Sequence, residues 1–91
     1  MKVNKDQYLK IRPERRDYLG ERYFRFNFDN DKVVQVCAST GDTKRGKSNT
    51  IGIYAIAKLT FYSNYLSLNY VEVCSKKDFE KKFEEAVNFL K

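Results

Sequence analysis

The side chains best suited to chemistry in this chain lie near its middle. Gly41-Asp42-Thr43-Lys44-Arg45-Gly46-Lys47-Ser48 has the spacing of a phosphate cradle: a glycine, four residues, then Gly-Lys-Ser. Glycines let backbone amides close around an anion, the lysine meets its charge, and the serine hydroxyl reaches a bound magnesium ion. Such a cradle works between a strand and the first turn of a helix, whose amides complete the anion site. Lys32–Ala38 reads as the strand, and Ile51–Tyr62 is the segment that would have to be the helix.

Over these eight residues alone the chain resembles the P-loop nucleotide-binding proteins, with Gly41, Gly46, Lys47 and Ser48 at the matching positions. The rest of the chain does not supply what that chemistry needs. After Ser48 there is room for one strand–helix–strand unit of about 30 residues. Glu72 is the only acid between Asp42 and the final helix, so no carboxylate stands ready for the metal. Nucleotide hydrolysis is not expected. Lys44, Arg45 and Lys47 suit a simpler partner, the phosphates of a nucleic-acid backbone.

Charge supports that partner. The 91 residues carry 18 Lys and Arg against 12 Asp and Glu, a net charge of +6. The excess is concentrated: residues 2–25 hold eight cations and four anions, and residues 41–60 hold four cations and one anion. Gathered Lys and Arg create a field that draws in polyanions, and each neutralised phosphate releases counterions.

Several classes are excluded. With no histidine there is no His-based triad and no His metal ligand, and two cysteines cannot close a Cys₄ zinc site or a disulfide framework. Cys37 and Cys74 lack an activating base, and the neighbours Glu84 and Glu85 point in different directions on a helix. Ser48 beside Lys47 has no fixed geometry, and Asp29 and Asp31 read as turn formers. No catalytic residue, metal or cofactor is expected, hence no enzyme. No stretch reads as a signal peptide or membrane span, so the expectation is a cytoplasmic protein with free thiols and no membrane contact.

These residues need a scaffold. Arg22-Tyr23-Phe24-Arg25-Phe26-Asn27-Phe28 alternates strictly, placing Phe24, Phe26 and Phe28 on one face and Tyr23, Arg25 and Asn27 on the other. Asp29-Asn30-Asp31 is turn chemistry, and Lys32–Ala38 returns as a second strand with Val34, Val36 and Ala38 expected inward. Ser39–Thr50 has no large apolar residue and reads as a long loop. Ile51–Phe61 alternates as a strand, and its β-branched residues and internal Gly52 favour that over a helix. Leu66–Val73 suggests a fourth strand with a bulge near Tyr70. Tyr8–Ile11 is a short strand or a helical turn, and Pro13–Leu19 followed by Gly20 reads as a short helix.

The last element is the clearest. Ser75-Lys76-Lys77-Asp78 is a capping box, and Phe79, Phe83, Ala86, Val87 and Leu90 form one apolar stripe behind it. Residues 1–91 are thus expected to form a single α+β domain, a small antiparallel sheet of about four strands with a C-terminal helix packed on one face. The helix is expected over Phe24, Phe26, Phe28, Val34 and Val36, leaving Tyr23 and Arg25 on an open face. Bases stack on exposed rings and guanidinium planes while cations track the backbone.

The composition and pattern point to a small non-enzymatic module binding single-stranded DNA or RNA, mainly by phosphate contacts. Arg12, Arg15, Arg16, Lys44, Arg45 and Lys47 would be its cations, and Tyr23 and Arg25 its stacking residues. The alternative is a protein-binding inhibitor or adaptor of phage or mobile-element type, using an edge strand or the 39–50 segment. A homodimer joined through sheet edges is compatible with both.

Overall fold

The computed structural model describes residues 6–15, 20–27, 31–43 and 46–90, with side chains outside 38–50. Five strands form one antiparallel sheet: β1 (Gln7–Ile11), β2 (Arg22–Phe26), β3 (Lys32–Thr43), β4 (Gly46–Ala57) and β5 (Val71–Val73). Their order is β4-β3-β2-β1-β5. The fold is the expected α+β class with a fifth strand. β1 is the addition: it pairs with β2 on one side and β5 on the other, which buries Leu9 and Ile11.

Between β1 and β2, Pro13–Arg15 makes a single 3₁₀ turn where a short helix was expected. Arg16–Leu19 lie outside the described residues. The chain re-enters at Gly20 with φ 72°, a left-handed conformation that costs glycine little. Of the Asp29-Asn30-Asp31 turn only Asp31 is described, and Phe28 also lies outside. β2 and β3 form the expected antiparallel hairpin.

Ile51–Phe61 is a strand only as far as Ala57. The Lys58 amide donates to the Asp31 carbonyl at 2.9 Å as a last rung, and the chain then coils into α1 (Lys58–Phe61) and a wider π-type turn, Tyr62–Leu66. Leu66 and Leu68 therefore do not belong to a strand, and β5 keeps only Val71–Val73. The C-terminal helix α2 spans Lys76–Leu90. Its cap is as expected, with the Asp78 amide donating to Ser75 Oγ at 3.0 Å.

The faces of the sheet differ from the expected arrangement. Tyr23 pairs with Val36 and Arg25 with Val34, so Val34 and Val36 lie on the tyrosine face, and Val33 joins the phenylalanines. Side chains alternate with period two, so a one-residue difference in register exchanges every inward residue for its neighbour. α2 packs on the Tyr23 and Val36 face through Phe79 and Ala86. The Phe24 and Phe26 face is covered instead by α1 and the turn after it, through Phe61 and Tyr65. Phe61, Tyr62, Tyr65 and Leu66, spaced i, i+1, i+4 and i+5, carry that packing, a helical spacing that the strand expected over Ile51–Phe61 divides.

Both faces are thus buried under the chain itself. On the phenylalanine side the rings interlock: Phe24 lies 4.9 Å from both Phe61 and Tyr65, and Phe26 lies 5.6 Å from Phe61. Such pairs are worth about 0.5–1.5 kcal/mol each beyond burial of their area. Buried Gln35 donates Nε2–H to Cys37 Sγ at 2.9 Å, so its amide is satisfied.

Candidate nucleic-acid interface

β3 and β4 are 12 residues each, while β2 pairs with β3 only from Val33 to Cys37. Beyond that point β3 and β4 continue alone, from Ala38 opposite Ile51 to Thr43 opposite Gly46. At roughly 3.3 Å per residue, this two-stranded ribbon extends about 20 Å past the sheet. It replaces the expected loop at Ser39–Thr50.

The ribbon also settles the phosphate-cradle pattern. Gly41 pairs with Ser48, and Asp42 with Lys47, across an antiparallel ladder that runs on into β4. A cradle needs successive amides converging at a helix N-terminus, whereas ladder amides alternate between the two edges of a strand. Among its described residues the segment is a strand ladder and not a nucleotide loop. Lys44 and Arg45, which join the two strands in sequence, lie outside the described residues, and Lys47 is placed by its backbone in β4.

The ribbon leaves the sheet at the end where β1 finishes and β5 begins. Arg12 stands there, directly after β1. Its amide donates to the Tyr70 carbonyl at 2.9 Å, and its guanidinium donates from Nε to the Asn69 carbonyl and from Nη2 to Asn69 Oδ1, both at 3.1 Å. Asn69, at φ 57°, holds a left-handed position that asparagine tolerates better than most residues. Glu72 takes Lys10 at 3.7 Å and Arg12 at 3.9 Å. Exposed Arg15 lies over the Tyr70 ring, 4.9 Å from its centroid, a stacking that steadies the guanidinium plane. Arg22, at the start of β2, donates Nη1–H to the Tyr65 hydroxyl at 2.9 Å.

The expected stacking platform is absent. Tyr23 and Arg25 do share a face, but Tyr23 is 8% exposed beneath α2, so its ring cannot receive a base. The helix covers this face because its apolar stripe finds Tyr23, Val36, Ile51 and Ile53 there. Arg25 is exposed but sits three residues from the ribbon end. Its guanidinium is 5.9 Å from the Phe79 ring and pairs with Asp6 at 3.8 Å, and Asn27 Nδ2–H donates to the same carboxylate. Tyr65 is buried and Tyr62 half-buried, which removes both from any platform, while Tyr54 remains 46% exposed on the other face.

The structure therefore places Arg12 and Arg15 at the same end of the sheet as the ribbon that carries Lys47, but two strands across from β3 and on the β5 side. It separates Arg25 from them and buries Tyr23. Arg16, Lys44 and Arg45 lie outside the described residues. Sequence reasoning missed Lys10, Asn69, Tyr70 and Glu72, whose contacts depend on β1–β5 register, and Arg22, which is held by Tyr65. The serine and threonine residues flanking Lys44–Arg45 on both sides were the available signal for the ribbon, since threonine favours strands.

Neither thiol is poised for chemistry. Cys37 is buried, and burial, with Asp78 and Glu72 nearby and Lys10 opposing, pushes the Cys74 thiol up to about 11. Among the described residues no three His, Cys, Asp or Glu side chains gather as a metal site, and no helix is long and apolar enough to cross a membrane. Comparison with protein-family models, curated proteins and solved structures yields no match to this chain.

Proposed function

We propose that this chain is a small non-enzymatic nucleic-acid-binding module whose contact element is the β3–β4 ribbon, with Arg12 and Arg15 at the same end of the sheet. The observation that carries the reading is the ribbon itself. Between Ser39 and Thr50 it has no large apolar side chain, yet it extends beyond the sheet that buries its other half. An isolated two-stranded hairpin is marginal in water, so a projecting one without a core gains most from a partner. Lys44, Arg45 and Lys47 make that partner a polyanion, and a ribbon of this width fits the major groove of a duplex. Phosphate contacts dominate this reading, and base stacking on the sheet has no part in it.

The test is fluorescence anisotropy with labelled single-stranded and duplex probes over a range of salt. Log affinity falls with log salt by about 0.9 per phosphate contact on duplex DNA and about 0.7 on single strands. Replacing Lys44, Arg45 and Lys47 together by alanine should flatten that slope by about 2–3 on every probe sequence. If the wild-type protein binds no probe at low salt, the reading fails.

A second reading, a protein-binding module, rests on a groove beside α2. Phe79, Phe83 and Val87 line it with Arg25 opposite and Glu80 and Glu84 at the rim. A host protein that copurifies through nuclease and high salt would favour this reading. Copurified nucleic acid, seen as raised absorbance at 260 nm, favours the first.

A further inference from the structure

With both faces of the sheet covered, its edges are what remain. β5 is blunted by its three residues, since a short edge offers little to pair with. β4 is different. From Thr50 to Ala57 it contains no charge and no proline, the devices that usually protect an edge. Its ladder with β3 shows which backbone groups face outward. The Lys58 amide donates to Asp31, so hydrogen-bonded pairs fall at every second residue back along β4: Ile56, Tyr54 and Gly52 bond to β3. The N–H and C=O of Ile51, Ile53 and Ala55, and the N–H of Ala57, therefore point away from the sheet, while the Ala57 carbonyl, at the N-cap of α1, accepts the first helical bond.

We propose that this edge pairs with the same edge of a second copy, antiparallel about a two-fold axis at Tyr54, joining two sheets into one. The register follows from the sequence around the axis. Ile51 meets the second copy's Ala57 and Ile53 its Ala55, and these are the residues whose backbone groups face outward. On the other face Gly52 meets Ile56 and Tyr54 meets Tyr54. Every isoleucine stands opposite a small residue. A Cβ built on Gly52 would lie 2.6–2.7 Å from the Tyr54 ring, so each ring lies back over its own glycine and leaves the axis clear. Lys58 would face Thr50, and Lys47 falls beyond the paired window, so no like charges meet.

α2 adds a second argument. It starts beside β1, where Phe79 lies 5.5 Å from Tyr8, and packs on β4 further along. At 1.5 Å per residue it spans about 22 Å, against roughly 14 Å for the three strand spacings from β1 to β4. Its last turn thus reaches the β4 edge, where Phe89 and Leu90 are 68% and 57% exposed. The two-fold axis places both α2 helices on the same face of the joined sheet, bringing these side chains over the second copy's strand. The pairing does not depend on nucleic-acid binding.

Sedimentation velocity after nuclease treatment, at salt high enough to strip nucleic acid, tests the proposal. The wild-type chain should sediment at twice 10.8 kDa. Tyr54→Lys and Tyr54→Glu should each be monomeric with an unchanged circular-dichroism spectrum, and mixing the two should restore the dimer. Ala55→Pro should also be monomeric, because the lost N–H faces away from β3. Tyr54→Cys should form a disulfide-linked dimer on mild oxidation. A monomeric wild type at several hundred micromolar would overturn the proposal, and so would folded Tyr54→Lys protein that dimerises like wild type.

Discussion

Replacing Tyr23 by alanine separates a core residue from a stacking residue more sharply than any other single change. The ring is 8% exposed and packed with Val36, Phe79 and Ala86. Removing a buried aromatic costs about 3–5 kcal/mol, the transfer free energy plus the cavity left behind. At about 0.05–0.15 kcal/mol per residue, a chain of this length has roughly 5–14 kcal/mol of total stability. Tyr23→Ala should therefore remove a large fraction of it. For a domain of this size, each kcal/mol moves the midpoint by about 4–8 °C, so melting should fall by more than about 10 °C. Tyr23→Phe keeps the ring and isolates the hydroxyl, and should cost much less. The assay is thermal and urea unfolding followed by circular dichroism, with probe anisotropy measured on the same samples well below the midpoint. Folded Tyr23→Ala should bind as wild type does. The reasoning is refuted if the variant melts where wild type does and loses affinity for single-stranded probes, because the ring would then be working at an open surface.

Other consequences are measurable in the same way. Partial burial pulls the Lys82 ammonium down, but the hydrogen bond and charge of Glu21 at 2.7 Å, with Glu85 and Tyr23, outweigh it and hold the group above 10.5. A raised pKa in the folded state gives stability that is complete below 10.5 and lost as pH rises through the folded value. Wild type should thus lose more of its urea midpoint than Glu21→Gln between pH 9.5 and 11.5, and parallel curves would contradict the pairing. The Cys74 thiol, raised from 9.0 to about 11, should react slowly with Ellman's reagent at pH 8 and accelerate well past pH 9; rapid labelling at pH 8, with Cys74→Ser as control, would contradict its burial. Because the folded state holds that proton, Cys74 also withdraws stability as pH rises from 9.0 to about 11.

The readable parts of this fold are those where one segment carries its own pattern. Phe24 and Phe26 alternate in a strand, and Ser75 with Asp78 and the stripe behind them specify α2, so both elements follow from local spacing. What covers what does not. Phe61 and Tyr65 lie in a coil that changes from strand to helix at Lys58, and only the packed rings show that they cover the phenylalanine face. Val33 rather than Val34 lies on that face because register depends on the turn between β2 and β3, where aspartate and asparagine fit several loop lengths. The ribbon has no apolar face, and strand periodicity is visible in a sequence only when one face is apolar. At the candidate interface, cation-rich segments were legible as composition. The side chains that fix Arg12 come from Asn69 and Glu72, nearly sixty positions away, and no local pattern signals them.

The position of β1 bears on how the chain can fold as it leaves the ribosome. β1 and β2 can form a hairpin early, yet the far side of β1 has no partner until β5 appears, since Leu9 pairs with Val73. Closing so long a loop costs entropy that grows as (3/2)RT ln n, and no contact at that edge offsets it sooner. Until the last quarter of the chain has emerged, Leu9 and Ile11 are wet on one flank and Tyr23 lacks its helix. A nascent chain stalled before Val71 should therefore attract hydrophobic-binding chaperones, and truncation there should yield no stable half-protein.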